Sequence, residues 1–196
     1  MILASSSPRR KALLQRLDYP FDIILPDVDE SILALGGNPE KYCITLAEMK
    51  TKNISQKYPK ALVIGADTIV VLGGQILNKP DDRIQAENML SMLSGQTHQV
   101  YTGVCLKKME NNIHHTFSEI TMVTFRTLDQ QDILHYIETF SPYDKAGSYG
   151  IQDWSAVYVK NIQGCYDNVV GFPLSRFYYE LKKIGINLLE PISKLS

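Results

Sequence analysis

Residues 61–72 read "ALVIGADTIVVL". A β-branched, nearly unbroken apolar run of this kind reads as a strand buried inside a sheet. Gly73-Gly74 turns it into a short second strand, "QIL" at 75–77. Working outward toward the start, "MILA" at 1–4 is a short apolar strand, and Ser7 caps a helix at about 8–17 with Pro8 at its first position. "FDIILPDV" (21–28) reads as a strand, 29–38 as a loop, and 39–58 as a helix that includes Tyr42, Leu46 and Met49. On the other side, Ala86, Met89, Leu90 and Leu93 mark a helix face ended by Gly95. A long β-hairpin follows at about 98–126, with "ENN" in its turn. Ile133, Tyr136, Ile137 and Phe140 mark another helix, "SAVYVKNI" (155–162) a strand, and "FPLSRFYYELKKI" a last helix stopped by Gly185. Helices and strands alternate without a linker or repeat. The pattern predicts one α/β domain, residues 1–196, with a mixed sheet.

The 196 residues suffice for a sizeable core. Lys and Arg total 20 against 21 Asp and Glu, so no global basic field recruits nucleic acid and a polyanion needs a local cluster. Three widely spaced cysteines, Cys43, Cys105 and Cys165, form no C-x-x-C and suit a reducing compartment. No basic segment precedes the short apolar start, and no run approaches the ~20 apolar residues of a membrane span. These features predict a soluble, cytoplasmic protein without membrane or nucleic-acid partners.

Asp67 is the anomaly. An ionised carboxylate in a buried strand is costly unless paired, hydrogen-bonded or bound to metal. The plainer alternative is that Asp67 ends the strand and bonds to a turn. Glu30, after the second strand, offers another acidic oxygen or is a solvated loop acid. Carboxylates without clustered His or Cys favour Mg²⁺ or Mn²⁺ over zinc. His114-His115 reads as an exposed pair near the hairpin turn, and His98 and His135 as structural. Arg9, Arg10, Lys50, Lys79 and Lys145 are singly ordinary surface cations, but together they could neutralise a polyphosphate. Arg9 and Arg10 fall in the first turn of a helix, where cations are unfavourable by roughly 0.3–1 kcal/mol each. An anion site at that helix end would explain them. On this reading, removing Arg10 leaves the stability of the empty protein unchanged or raises it by at most ~1 kcal/mol. No Walker motif or G-x-G-x-x-G fingerprint occurs.

"ASSSPRR", "GADTIVV", "NKP", "LSGQTHQVYTGV", "DKAGSYGIQ" and "CYDNVVGFPL" stand in the order of the Maf family, which this chain resembles over almost its whole length. The resemblance implies an elongated mixed sheet flanked by helices, two lobes around a central cleft, and a homodimer. It also implies divalent-metal-dependent cleavage of a nucleoside triphosphate to the monophosphate and pyrophosphate. Carried over by position, Asp67 matches the proton acceptor or metal ligand, and Glu30, Lys50 and Lys79 the other catalytic polar residues. Ser5, Ser7 and Arg10 match the phosphate-binding loop. Arg9, Thr68 and Gln152 fit the members acting on dTTP and UTP; the late motif of relatives preferring 7-methyl-GTP is absent. A Gln carboxamide can both donate to and accept from a pyrimidine edge. Cys165 stands where Ser is usual, Phe172 where Leu is usual, and Asp153-Trp154 replaces a Gly beside Gln152. Two rival readings keep the same pocket: a nucleotide sensor acting on cell division without turnover, and a phosphatase releasing phosphate.

Overall fold

The computed structural model describes residues 1–29 and 37–189. The elements run β1 (Ile2–Ala4), α1 (Pro8–Gln15), β2 (Asp22–Ile23), α2 (Pro39–Lys57), β3 (Val63–Leu72), β4 (Gln75–Leu77), α3 (Arg83–Leu93), β5 (Thr97–Lys108) and β6 (Ile113–Phe125). After them come α4 (Gln130–Phe140), β7 (Val159–Gln163), α5 (Tyr166–Val170) and α6 (Leu174–Lys183). The sheet is seven-stranded with order β2-β1-β3-β5-β6-β7, and β4 pairs with β3. β1 is parallel to β2 and β3, and the remaining pairs are antiparallel. The mixed α/β architecture expected from the sequence is therefore present. Among the described residues, no helix is long and apolar enough to cross a membrane.

β3 is the axis because both of its faces are covered. Ile64, Ala66 and Val70 point into the larger core, with Leu90, Leu106, Phe125 and Phe177. Val63, Ile69 and Val71 pack in smaller clusters that include Ile54 and Leu46 of α2. Two-sided burial removes the polar alternation of a half-exposed strand and leaves the continuous run seen in the sequence. At the end of β3, Gly73 and Gly74 have φ of +56° and +86°, which a tight turn into antiparallel β4 requires.

α2 lies unusually close to the sheet. A Cβ on Gly103 would overlap the Cys43 carbonyl carbon and stand 2.5 Å from the Ile44 nitrogen. One on Gly65 would overlap the Ala47 carbonyl oxygen and stand 2.7 Å from Thr51 Cγ2. These atoms are mainly backbone, which cannot rotate aside. Gly103→Ala is expected to lower stability by roughly 2–3 kcal/mol, the upper part of the range for overpacking. A urea titration checks this; a loss below ~0.5 kcal/mol would mean that α2 shifts freely.

The sequence pattern needs four corrections. "FDIILPDV" forms only the two-residue β2, because β1 offers three residues to pair with and Pro26 has no N–H to donate. "SAVYVKNI" is not one strand: Trp154–Tyr158 is a 3-10 turn, and the strand begins at Val159. Asp153 caps that turn through the Ser155 N–H at 3.0 Å, and Trp154 stacks on Phe140 at 6.3 Å, so local capping and ring packing override β-propensity. Helix α5 has five residues, too few to show a period in the sequence. His115 is not an exposed partner of His114: its Nε2 lies 2.7 Å from Glu180, a buried carboxylate on α6. Burial pushes the Glu180 carboxyl up, but hydrogen bonds from Lys183, His115 and Arg176 outweigh it and bring it down to about 2. His98 is structural, as expected. Burial pushes it down to about 4, leaving a neutral ring 2.8 Å from the Tyr149 hydroxyl.

Candidate active site

β5 pairs with one edge of β3 from Val63 to Val71, so β1 and β4 share the other edge. β1 pairs as far as Gly65, and β4 begins at Val70. Residues 66–69 of that edge have neither neighbour. A cleft of about 350 Å³ opens nearby, where the chain leaves β1 and where it leaves β4 for Lys79. The carboxyl end of a parallel strand is the usual place for a ligand crevice in an open α/β sheet.

Alternation along β3 sends Thr68 and Val70 into this cleft and Asp67 toward α2. There the Lys50 ammonium donates to Asp67 Oδ1 at 2.5 Å, with both residues buried. Close packing of α2 over Gly65 and Gly103 brings the two groups together. The strand continues to Leu72, so Asp67 does not end it; the carboxylate is carried by an ion pair, as burial demands. Among the described residues, the cleft lining includes Lys50, and Asp67 is in direct contact with its ammonium.

Ser7 caps α1 by accepting the Arg10 N–H at 3.4 Å, and Ser5 Oγ accepts the Ser7 N–H at 3.1 Å. Both serines line the cleft, with Arg9 and Arg10. Arg10 Nε donates to the Gly171 carbonyl at 2.9 Å, and its Nη2 donates to Thr68 Oγ1 at 3.0 Å. Thr68 is held in turn by Thr102 at 2.9 Å, and Thr102 donates to the Asn168 carbonyl at 3.3 Å. Arg9 pairs with Asp144 at 2.6 Å. The expectation that these arginines stand uncompensated against the helix dipole is therefore corrected. A distant carboxylate and a backbone carbonyl supply the negative potential, and Arg10 ties α1 to the end of α5. Arg10→Ala is therefore expected to lower the thermal midpoint of the ligand-free protein.

Lys79, Lys145 and Gln152 also line the cleft. Lys145 donates to Asp144 Oδ1 at 2.8 Å and lies 3.9 Å from Asp153 Oδ2. Asp153 accepts the Tyr136 hydroxyl at 3.1 Å on both oxygens. The Asp153-Trp154 departure thus anchors the turn after Gln152 onto α4. Glu30 lies outside the described residues. Reasoning from sequence missed Thr102, Asn168, Gly171 and Asp144. Asp144 carried a signal as the acidic neighbour of Lys145 in "YDKAG"; Thr102, Asn168 and Gly171 fall inside "LSGQTHQVYTGV" and "CYDNVVGFPL", where the motifs mark the stretch but not the residue.

Among the described residues, no three His, Cys, Asp or Glu side chains converge as a metal cage. Asp67 still offers a hard carboxylate oxygen, which suits Mg²⁺ or Mn²⁺. Mg²⁺ is commonly held by one or two carboxylates together with substrate phosphates.

Fold and site together define an α/β protein whose cation-lined cleft opens at the interrupted edge of a mixed sheet. The sequence model of the Maf-like protein family matches residues 1–184, and the chain belongs to this family. It is similar to a dTTP/UTP pyrophosphatase of Ruminiclostridium cellulolyticum, with 44% identity over 97% of this chain and 98% of the relative. A protein of the same name from Carboxydothermus hydrogenoformans is 44% identical over 93% of this chain and 97% of its own length. One from Bacillus cytotoxicus is 46% identical over 93% and 94%.

Proposed function

We propose that this chain is a nucleoside triphosphate pyrophosphatase that converts dTTP and UTP to the monophosphate and pyrophosphate. The observation that carries the reading is full-length similarity to proteins named for that activity. The convergence of Arg9, Thr68 and Gln152 on one cleft supports it. The resemblance had assigned these residues to the dTTP and UTP members. A non-catalytic sensor is not favoured.

In this reading the triphosphate lies against Ser5, Ser7, Arg10 and Lys79, whose donors take up phosphate charge. Asp67 either accepts the proton of the water that attacks the α-phosphorus or, with Glu30, holds the divalent metal. That metal would stabilise negative charge on the phosphate oxygens. Lys50 holds the Asp67 carboxylate in place through their ion pair. Lys145 and Arg9 face the charge that grows on the departing pyrophosphate. Gln152 donates to and accepts from the base edge. We also propose a homodimer and a cytoplasmic location, both implied by the family.

The test is a panel of nucleoside triphosphates with Mg²⁺ or Mn²⁺, assayed for phosphate and for pyrophosphate. UTP and dTTP should be cleaved in preference to CTP and purines, with pyrophosphate as product and no turnover in EDTA. Release of phosphate, or full activity in EDTA, refutes the reading. Gln152→Ala should narrow the preference for UTP over CTP by about tenfold, roughly 1.4 kcal/mol. An equal loss on every nucleotide would mean that Gln152 holds its loop and does not read the base.

A further inference from the structure

Asp144 is the one acidic side chain among the described residues that line the cleft, in a wall that also carries Arg9, Arg10, Lys50, Lys79 and Lys145. A carboxylate is out of place in a site for a polyanion, yet it is bonded to two of those cations. Arg9 Nη1 donates to Asp144 Oδ2 at 2.6 Å, and Arg9 Nη2 donates to the Asp144 carbonyl oxygen at 3.1 Å. Lys145 Nζ donates to Asp144 Oδ1 at 2.8 Å. Each carboxylate oxygen holds one cation, and the pair joins α1 to a wall 135 residues further along the chain. Burial pushes the Asp144 carboxyl up, but hydrogen bonds from Lys145 and Arg9 hold it below the usual carboxylate range.

We infer that Asp144 is an internal stand-in for a substrate phosphate: it pairs with Arg9 and Lys145 and yields both when a triphosphate binds. The inference rests on the nucleotide reading of the cleft. A carboxylate bridging a guanidinium and an ammonium uses the same donors in the same way as a phosphate group. The Asp144 side chain is 56% exposed, so water can take over its oxygens on release. Arg9 and Lys145 are themselves only 21% and 11% exposed, so it is the carboxylate side of each pair that meets water and is screened; a polyphosphate carries more charge than one carboxylate, so the exchange favours the ligand. The Lys50–Asp67 pair is the opposite case: its side chains are only 8% and 13% exposed, and neither partner can be released cheaply to solvent. Asp144 therefore sets how tightly the cleft takes anions, because a ligand that needs Arg9 or Lys145 must first displace it. It also keeps the two cations from repelling each other while no ligand is present.

The test is Asp144→Asn, which keeps the shape and removes the charge. KM and kcat for UTP and inhibition by pyrophosphate are measured with Mg²⁺ at low salt. KM and the pyrophosphate inhibition constant should each fall about 3–10-fold, the scale of losing weak exposed pairs, while kcat stays level or drops. Stabilisation of the variant by pyrophosphate, read as a shift in thermal midpoint, should exceed that of the wild type. If Asp144 instead orients Arg9 within the complex, KM rises in the variant, and an unchanged KM equally overturns the inference. A purely structural role would lower the ligand-free midpoint and leave the pyrophosphate shift as it was, which also overturns it. Should the wild type neither cleave nor be stabilised by UTP, the nucleotide reading itself falls and this inference with it. Normal wild-type turnover with a raised KM in the variant sinks the inference alone.

Discussion

Asp67→Asn is expected to lower kcat for UTP and dTTP by about 10²–10⁴-fold, the range for losing a positioned general base. The amide keeps an oxygen toward Lys50 Nζ, which now stands 2.5 Å from the carboxylate, so the hydrogen bond can be kept while the ion pair is lost at some cost in stability. It cannot take a proton from water, and as a neutral group it is a poor ligand for a hard divalent cation. Both roles open to Asp67 are therefore removed by one atom change. The change in KM separates them. A base acts on the bound substrate, so its loss leaves KM near the wild-type value. A metal ligand contributes to the site that meets the phosphates, so raising Mg²⁺ tenfold should recover part of the activity. Circular dichroism and the thermal midpoint would show that the variant is folded. Turnover within tenfold of wild type would remove Asp67 from the chemistry.

Asp67 was legible because it breaks a pattern: a single acid within "ALVIGADTIVVL" has few physical excuses. Its partner was harder to see. Lys50 sits on the buried stripe of α2 with Tyr42, Leu46 and Ile54, where a lysine reads as an interruption of an apolar face. What makes it meaningful is the glycine pair, Gly65 and Gly103, that lets α2 settle onto the sheet, and they lie on two different strands. The same limit hid Thr102 and Asn168, which hold Thr68 and through it Arg10 from β5 and α5. Nothing local in "YTGV" or "YDNVV" announces that link. Long, periodic elements such as α2, β3 and the β5–β6 hairpin were predicted close to their observed limits. The failures fall where capping or a short partner decides, as at Trp154–Tyr158 and at β2. Arg9 and Arg10 were singled out by the dipole argument. Its premise that they stand uncompensated does not hold, because their partners, Asp144 and Gly171, lie more than 130 residues away.

Lys50→Met carries the second large effect, and it is on stability. The substitution keeps the length of the side chain and its apolar contacts but leaves the Asp67 carboxylate buried without its ammonium. Breaking a buried pair from one side typically costs about 3–5 kcal/mol, far more than the net worth of the intact pair, because the remaining charge has lost both water and partner. That asymmetry supplies the check. If the penalty comes from the stranded carboxylate, neutralising it must recover stability, so Lys50→Met combined with Asp67→Asn should be more stable than Lys50→Met alone. A recovery of roughly 2 kcal/mol in a double-mutant cycle is expected for groups in direct contact. Urea titrations of the four proteins give the coupling. Strict additivity, with the double variant losing the sum of the two single losses, would mean that Lys50 stabilises α2 by packing and that the ion pair seen against β3 contributes nothing of its own.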